Sequence, residues 1–312
     1  MFLRDVYYLV KPAVPRPVRA ALRSSLAGRV RRRAAGSWPI NEAAGHRPAS
    51  WRGWPGGKRF AFVLTHDVEG RCGLDRCRPL AQLEMDLGFR SSFNFVPEGE
   101  YETPLQLRSY LNDRGFEVGV HDLHHDGKLY RSRQAFKGHA GRINRYLRTW
   151  SAVGFRSAFM LHELDWLHQL NVSYDASTFD TDPFEPQPDG VNTIFPFWVP
   201  RGAAGYVELP YTLPQDSTLF LVLREQTIDV WIDKLDWIAE RGGMALVNVH
   251  PDYMSFNRTK GSYEYSVELY ERFLSHVRNR FANDAWFVLP REVASLVRRH
   301  RAESIAAEPY IQ

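Results

Sequence analysis

The chain has 312 residues, 44% apolar and 13% aromatic, with a formal net charge of +4, an ordinary globular composition that suits one large α/β domain or two smaller ones. Its two cysteines, Cys72 and Cys77 in "RCGLDRC", exclude a four-thiolate site and a disulfide framework. No run reaches the roughly 18 apolar residues that a membrane-spanning helix needs.

Residues 1–59 carry 13 Lys/Arg against only Asp5 and Glu42, a local +11 that leaves −7 for the rest of the chain. This split argues against a catalytic domain that grips nucleic acid and confines any anion-binding role to the leader. There "VRAALRSSLAGRVRRR" reads as a basic amphipathic helix beside the aromatic "VYYLV", suited equally to an anionic membrane surface or to packing on the main domain. A polar linker, "RRRAAGSWPINEAAGHRPAS", follows it. The N-terminus has no uninterrupted apolar core with a small-residue cleavage site, so a cytoplasmic location is expected, peripheral to the inner face of the membrane.

From residue 58 short β-rich runs alternate with longer helical patterns, the signature of an α/β fold with parallel strands. "RFAFVLT" reads as a strand and "LDRCRPLAQLEMDLG" as a helix stopped at Gly88. "FRSSFNFV" is the next strand, "PLQLRSYLNDRG" a helix ending at Gly115, and "FEVGV" a strand running into "HDLHHDGKLY". Residues 130–152 form a long helix, "GFRSAFM" a strand, and "LDWLHQL" a short helix before "VSYDAS". The proline-rich, aromatic stretch 179–201 reads as loop and short strands. "IDVWIDKLDWIAERGG" is an amphipathic helix and "MALVNV" a buried strand; residues 263–281 are helical, "AWFVL" is a strand and "PREVASLVRRH" a closing helix. About seven strand–helix pairs point to a barrel of TIM-like size, with domain limits at 1–57 for the extension, 58–300 for the barrel and 301–312 for a tail.

Polar residues gather where these strands end. His66, Asp67 and Glu69 follow the first strand, His121 and His125 the third, Arg156 lies in "GFRSAFM", and His250 follows "ALVNV". In a parallel barrel the C-terminal strand ends share one face, so these distant residues converge. His121 and His125, four apart, present both rings to one ion, and His124 points elsewhere. The third ligand is a carboxylate from the first strand, either Glu69 or Asp67, which point the same way by the period of two.

With "THDVEG", "HDLHH", "GFRSAF" and "ALVNVHP" in this order, the chain resembles the polysaccharide deacetylases, the NodB-homology carbohydrate esterases of family four, over about residues 58–290. The resemblance implies a distorted (β/α)7 barrel. It also implies a divalent metal, zinc first with cobalt, manganese and nickel as alternatives, held by Glu69, His121 and His125. A water activated there attacks the carbonyl carbon of an N-acetyl or O-acetyl group on a polysaccharide or its precursor, so the N-acetylated saccharide is the expected partner. Asp67 would be the base, Arg156 would orient it, and His250 would protonate the leaving amine. The chain departs from the family pattern at Val68, where a metal aspartate is usual, at Asp122, where Ser or Thr is usual, and at Ala158, where proline is usual. Another amide hydrolase on the same barrel, or a glycan-binding protein without turnover, are the competing readings.

The irregular stretch supplies Phe179, Phe184, Phe195, Phe197 and Trp198. Aromatic faces stack on sugar rings, which makes Phe179, Asp180, Phe197 and Trp198 the candidate substrate contacts. For any single aromatic, capping the core is the commoner role. Asp180 and Asp182 in "FDTDP" either reach the site or cap a turn.

Overall fold

The structure, a computed structural model, describes residues 26–257 and 259–307. The aromatic "VYYLV" and the first part of the basic leader lie outside the described residues, and residues 26–33 are helical. Strand β1 (Phe60–Val68) is the centre of the sheet. On one side it pairs with β8 (Met244–Val249); on the other its start pairs with β11 (Ala285–Phe287) and its end with β2 (Ser92–Phe95), all parallel. The sheet continues in parallel through β3 (Glu117–His121), β4 (Gly154–Arg156), β5 (Tyr174–Asp175) and β7 (Ala204–Glu208). Past β7 the backbone N–H groups of Thr212 and Leu213 donate to Leu246 O on β8, which closes the curve into a distorted barrel.

Alternation along β1 separates two cores. Phe60, Phe62, Leu64 and Val68 face the helical layer, whereas Ala61 and Val63 join Leu246, Val207 and Leu209 inside the barrel. That interior is plugged by helix α7 (Pro290–Ala307) through Val293, Ala294 and Val297. The outer layer is built by α1 (Arg71–Asp86), α2 (Leu105–Asp113), α3 (Arg133–Thr149), the single turn α4 (Leu164–Leu167), α5 (Asp229–Arg241) and α6 (Val267–Phe281).

Differences from the sequence reading have local causes. The helix expected over 130–152 begins at Arg133, because Ser132 caps it by accepting from Ala135 N. The one expected from 263 starts at Val267, because Tyr265–Ser266 (β10) pairs with Met254–Ser255 (β9). The irregular stretch holds an antiparallel hairpin, β6 (Phe197–Arg201) with β7. The closing helix runs past residue 300 to Ala307.

Residues 38–54 are part of the packed body, although their composition reads as linker. Trp38, Ala44 and Trp54 are buried. Trp38 packs edge-on against Phe184, Ala44 O accepts from Ile194 N, and Trp54 Nε1 donates to Gly242 O. The segment thus holds the start of β8 and the 181–194 loop.

Two glycines make room inside the barrel. A Cβ on Gly119 would stand 2.1 Å from Asn94 Oδ1, and one on Gly154 would stand 2.0 Å from the Tyr174 ring. Gly154→Ala is therefore expected to cost about 1–3 kcal/mol, the usual penalty of overpacking. Thermal denaturation should show a Tm several degrees lower, and an unchanged Tm would contradict this packing.

Candidate metal centre and active site

Strand alternation sends Thr65 and Asp67 of β1, Asn94 of β2, His121 of β3, Arg156 of β4, and Asn248 with His250 at the end of β8 into the barrel mouth. Asp67 is 2% exposed and Arg156 1%. Asp67 Oδ1 accepts from Asn94 Nδ2 at 3.0 Å and from Arg156 Nη1 at 3.3 Å, and its Oδ2 accepts from Asn248 Nδ2 at 2.8 Å. Burial works to raise this carboxyl, but the charges of Arg156, His121 and His250 and the Asn94 amide outweigh it and hold Asp67 well below the usual carboxylate range. Arg156 is itself fixed: Nε donates to Ala176 O at 2.7 Å, and Nη1 also reaches Thr65 Oγ1 and Asn248 Oδ1.

Glu69, His121 and His125 bring one ligand atom each to within 4.8 Å of one another. Glu69 Oε1 lies 3.1 Å from His125 Nε2. Nδ1 of His121 faces Arg156 O at 3.1 Å, while Nε2 of both His121 and His125 is buried without a hydrogen-bond partner. Two orphaned imidazole nitrogens beside a carboxylate fit a divalent metal, since an unpaired buried nitrogen is otherwise costly. Glu69 is aimed by Tyr253 OH, which donates to Oε2 at 2.6 Å. Its backbone is pinned as well, because Asp252 accepts from the N–H groups of Glu69, Gly70 and Gly73 at the start of α1. Burial raises the Glu69 carboxyl, but His125 and His250 bring it down to about 2.

Asp122 and His125 have φ of +54° and +53°, and across the mouth Phe159 and Met160 have +57° and +51°. Asp122 joins the two loops by accepting from Leu123 N on Oδ1 and from Ala158 N at 3.3 Å on Oδ2. A proline at 158 has no N–H to give. Two of the family departures, Asp122 and Ala158, are thus halves of one hydrogen bond. Phe159 is 36% exposed, with its ring 4.8 Å from that of His125.

On the opposite side His250 Nδ1 donates to Asp216 Oδ1 at 2.7 Å, and His250 N donates to Asp216 Oδ2 at 2.9 Å. Burial opposes a charged imidazole, but Asp216, with Glu69 and Asp67 beyond it, pushes His250 up to about 10. Asp216 starts a π-helical turn, residues 217–222, and also accepts from Tyr265 OH. His250 Nε2 lies 3.8 Å from Glu69 Oε1, so it faces the same mouth.

The sequence matches no protein-family model and no curated protein. Among solved structures, a Mycobacterium smegmatis protein described as a polysaccharide deacetylase superimposes with a TM-score of 0.63 at 16% identity, over 82% of this chain and 96% of that one. This chain has the polysaccharide deacetylase fold. More distant likenesses are peptidoglycan deacetylase PdaC from Bacillus subtilis, with a TM-score of 0.47 at 10% identity over 81% and 97% of the two chains, and a family 4 carbohydrate esterase from Streptomyces lividans, with 0.43 at 9% over 73% and 91%.

Within this fold Asp67, Glu69, His121, His125, Arg156 and His250 come together. Val68, the third departure, points into the helix-facing core, so strand geometry leaves positions 67 and 69 for the mouth. His66 also points outward: it is fully buried between Phe93 and Tyr270, 2.7 Å from Glu84 Oε1. His124 faces Glu98.

The expected substrate contacts do not hold. Phe179 is fully buried beside Tyr211, and Asp180 is fully buried in an ion pair with Lys234 of α5. Trp198 lies beneath Arg298 and Arg301 of α7, and Phe197 packs on the helix-facing core. These aromatics cap the barrel, and the exposed ring at the mouth is Phe159. Asp216, Asn94, Asn248 and Tyr253 also escaped the sequence reading, since an isolated polar residue carries no signal until its partner is placed.

Asp216→Asn removes the charge that sustains the His250 imidazolium. In metal-free protein, NMR titration of His250 should show its pKa fall from about 10 toward the ordinary histidine range near 6.5. An unmoved titration would mean that Asp216 does not control this ring.

Proposed function

We propose that this protein is a metal-dependent hydrolase that removes an N-acetyl or O-acetyl group from a sugar of a cell-surface or extracellular polysaccharide or its precursor. The observation that carries this reading is the meeting, in one mouth, of an empty-handed imidazole pair with Glu69, a carboxylate held ionised, and a histidine held protonated. Glu69, His121 and His125 would hold the ion, and two imidazoles with one carboxylate suit zinc with an open position. Such an ion supplies Lewis-acid polarisation and a water of lowered pKa.

The remaining work belongs to the protein. Asp67, kept ionised and oriented by Arg156 and Asn248, is placed to accept the proton of the attacking water. His250 gives Nδ1–H to Asp216 and keeps its other proton on Nε2, facing the mouth, for the departing nitrogen or oxygen. Buried partners fix both groups before substrate arrives, which lowers the reorganisation needed during reaction. A protein that only binds glycan has no use for an opposed base and acid.

Purified protein should carry about one divalent ion per chain by elemental analysis, and His121→Ala and His125→Ala should each lose it while remaining folded. Asp67→Asn and His250→Ala should lower acetate release from N-acetylated saccharides by about 10² to 10⁴ at normal metal content, with Arg156→Met milder. Near wild-type turnover in Asp67→Asn would place the base elsewhere, with Glu69 the first alternative. Complete absence of turnover in the metal-loaded wild type would favour the binding protein.

The +11 leader supports a peripheral cytoplasmic location at the inner face of the membrane. No helix among the described residues is long and apolar enough to cross a membrane. Full-length protein should cosediment with anionic vesicles and release as salt rises, since charges are screened over about 8–10 Å at physiological ionic strength. A chain starting at Ser37, which keeps Trp38 and Ala44 on the barrel, should not cosediment; equal binding by both would end the idea.

A further inference from the structure

The loop between β5 and β6 brings a second acidic group to the mouth that the proposed reaction does not use. Glu185 Oε1 accepts from Tyr211 OH at 2.7 Å and from Gln215 Nε2 at 2.6 Å. Gln215 Oε1 in turn faces Asn248 Nδ2 at 3.4 Å, the same nitrogen that donates to Asp67 Oδ2. Glu185 is therefore two side chains from Asp67, and it lies near enough to feel the charge of His250.

Tyr211 OH also lies 3.0 Å from Asp182 Oδ2. One phenolic proton stands between two carboxyl groups, so the pair is satisfied when it holds one further proton. In keeping with this, burial together with the neighbouring Asp182 raises Glu185 to about 8, and burial raises Asp182 to about 6. At neutral pH the unit then carries one negative charge. Among the described residues, Glu185 Oε2 has no hydrogen-bond partner, and the side chain is half-buried, so that oxygen remains available.

The loop is also held in place. Asn41 Nδ2 donates to Thr181 Oγ1 and Asn192 Oδ1, Trp38 packs on Phe184, and Phe184 N donates to Asp182 Oδ1. A carboxyl group with one oxygen fixed, one oxygen free and its loop braced from outside is built as a contact for something in the mouth.

We propose that Glu185 is a specificity residue that accepts a hydrogen bond from a hydroxyl or amino group of the sugar and disfavours sugars bearing a carboxylate. This inference rests on the sugar-hydrolase reading and adds to it a preference for neutral or basic sugars over uronic acids.

The test uses the full zinc-loaded chain and three methyl glycosides of N-acetylglucosamine that differ only at C6, carrying hydroxyl, amine or carboxylate. Binding is measured by saturation-transfer NMR and acetate release is followed in parallel. Wild-type protein should bind the amine and hydroxyl forms about tenfold or more tighter than the carboxylate, the scale of one hydrogen bond to a charged group. Glu185→Gln should shrink this gap and Glu185→Lys should invert it, with metal content and thermal stability unchanged. The same order of binding in all three proteins, or no binding of any sugar, overturns the proposal. Discrimination that depends on residue 185 without acetate release would leave recognition standing and remove the deacetylase reading, and acetate release indifferent to residue 185 would do the reverse.

Discussion

The constraint on which the site depends is an ionised carboxylate kept inside a barrel. Asp67 is cut off from water, and a buried charge survives only when it is paired and hydrogen-bonded. Arg156 supplies the charge, and the amides of Asn94 and Asn248 supply the remaining bonds. The same guanidinium reaches Thr65, Asn248 and the carbonyl of Ala176, so it ties β1, β4, β8 and the segment after β5 into one frame. Loss of one member of such a buried pair costs about 3–5 kcal/mol, because the other charge is stranded. The frame that serves the chemistry is also a structural tie across the barrel.

Around that frame the backbone is bent into shapes that side chains disfavour. Asp122, His125, Phe159 and Met160 all sit in the left-handed region, at about 1–2 kcal/mol each. They persist because the surroundings over-determine them. The Asp122 carboxyl locks its loop to Ala158 N, and Phe159 lies against His125. Strain is confined to the metal side of the mouth, whereas the acid side uses hydrogen bonding: Asp216 accepts from both Nδ1 and the backbone N–H of His250, and from Tyr265 OH.

The periphery contributes through bracing. Asp252 holds the turn that carries Glu69, and Tyr253, its neighbour in sequence, holds the Glu69 side chain, so the loop after β8 positions a residue of the loop after β1. On the far side the 38–45 segment steadies the loop that bears Asp182 and Glu185. Residues that read as linker or loop therefore set the outline of the mouth.

What the sequence determined by itself was periodic or clustered. The period of two in "RFAFVLT" and "MALVNV", the helical spacing of Leu80, Leu83 and Leu87, and the stops at Gly88, Gly115 and Gly242 are local, and they were enough for a parallel α/β barrel with chemistry at the strand ends. His121 and His125, four apart, and Asp67 and Glu69, two apart, carried their geometry in their spacing. Only the tertiary structure decided the rest, because it depends on contacts between residues far apart in the chain. Asp216 and His250 are 34 residues apart, Asp67 and Asn248 181 apart, and Asp122 and Ala158 36 apart. For the same reason the aromatics of the 179–201 stretch read as a sugar platform but serve as core. Exposure belongs to the packed chain and to no residue alone, and packing buried Phe179 while leaving Phe159 at the surface.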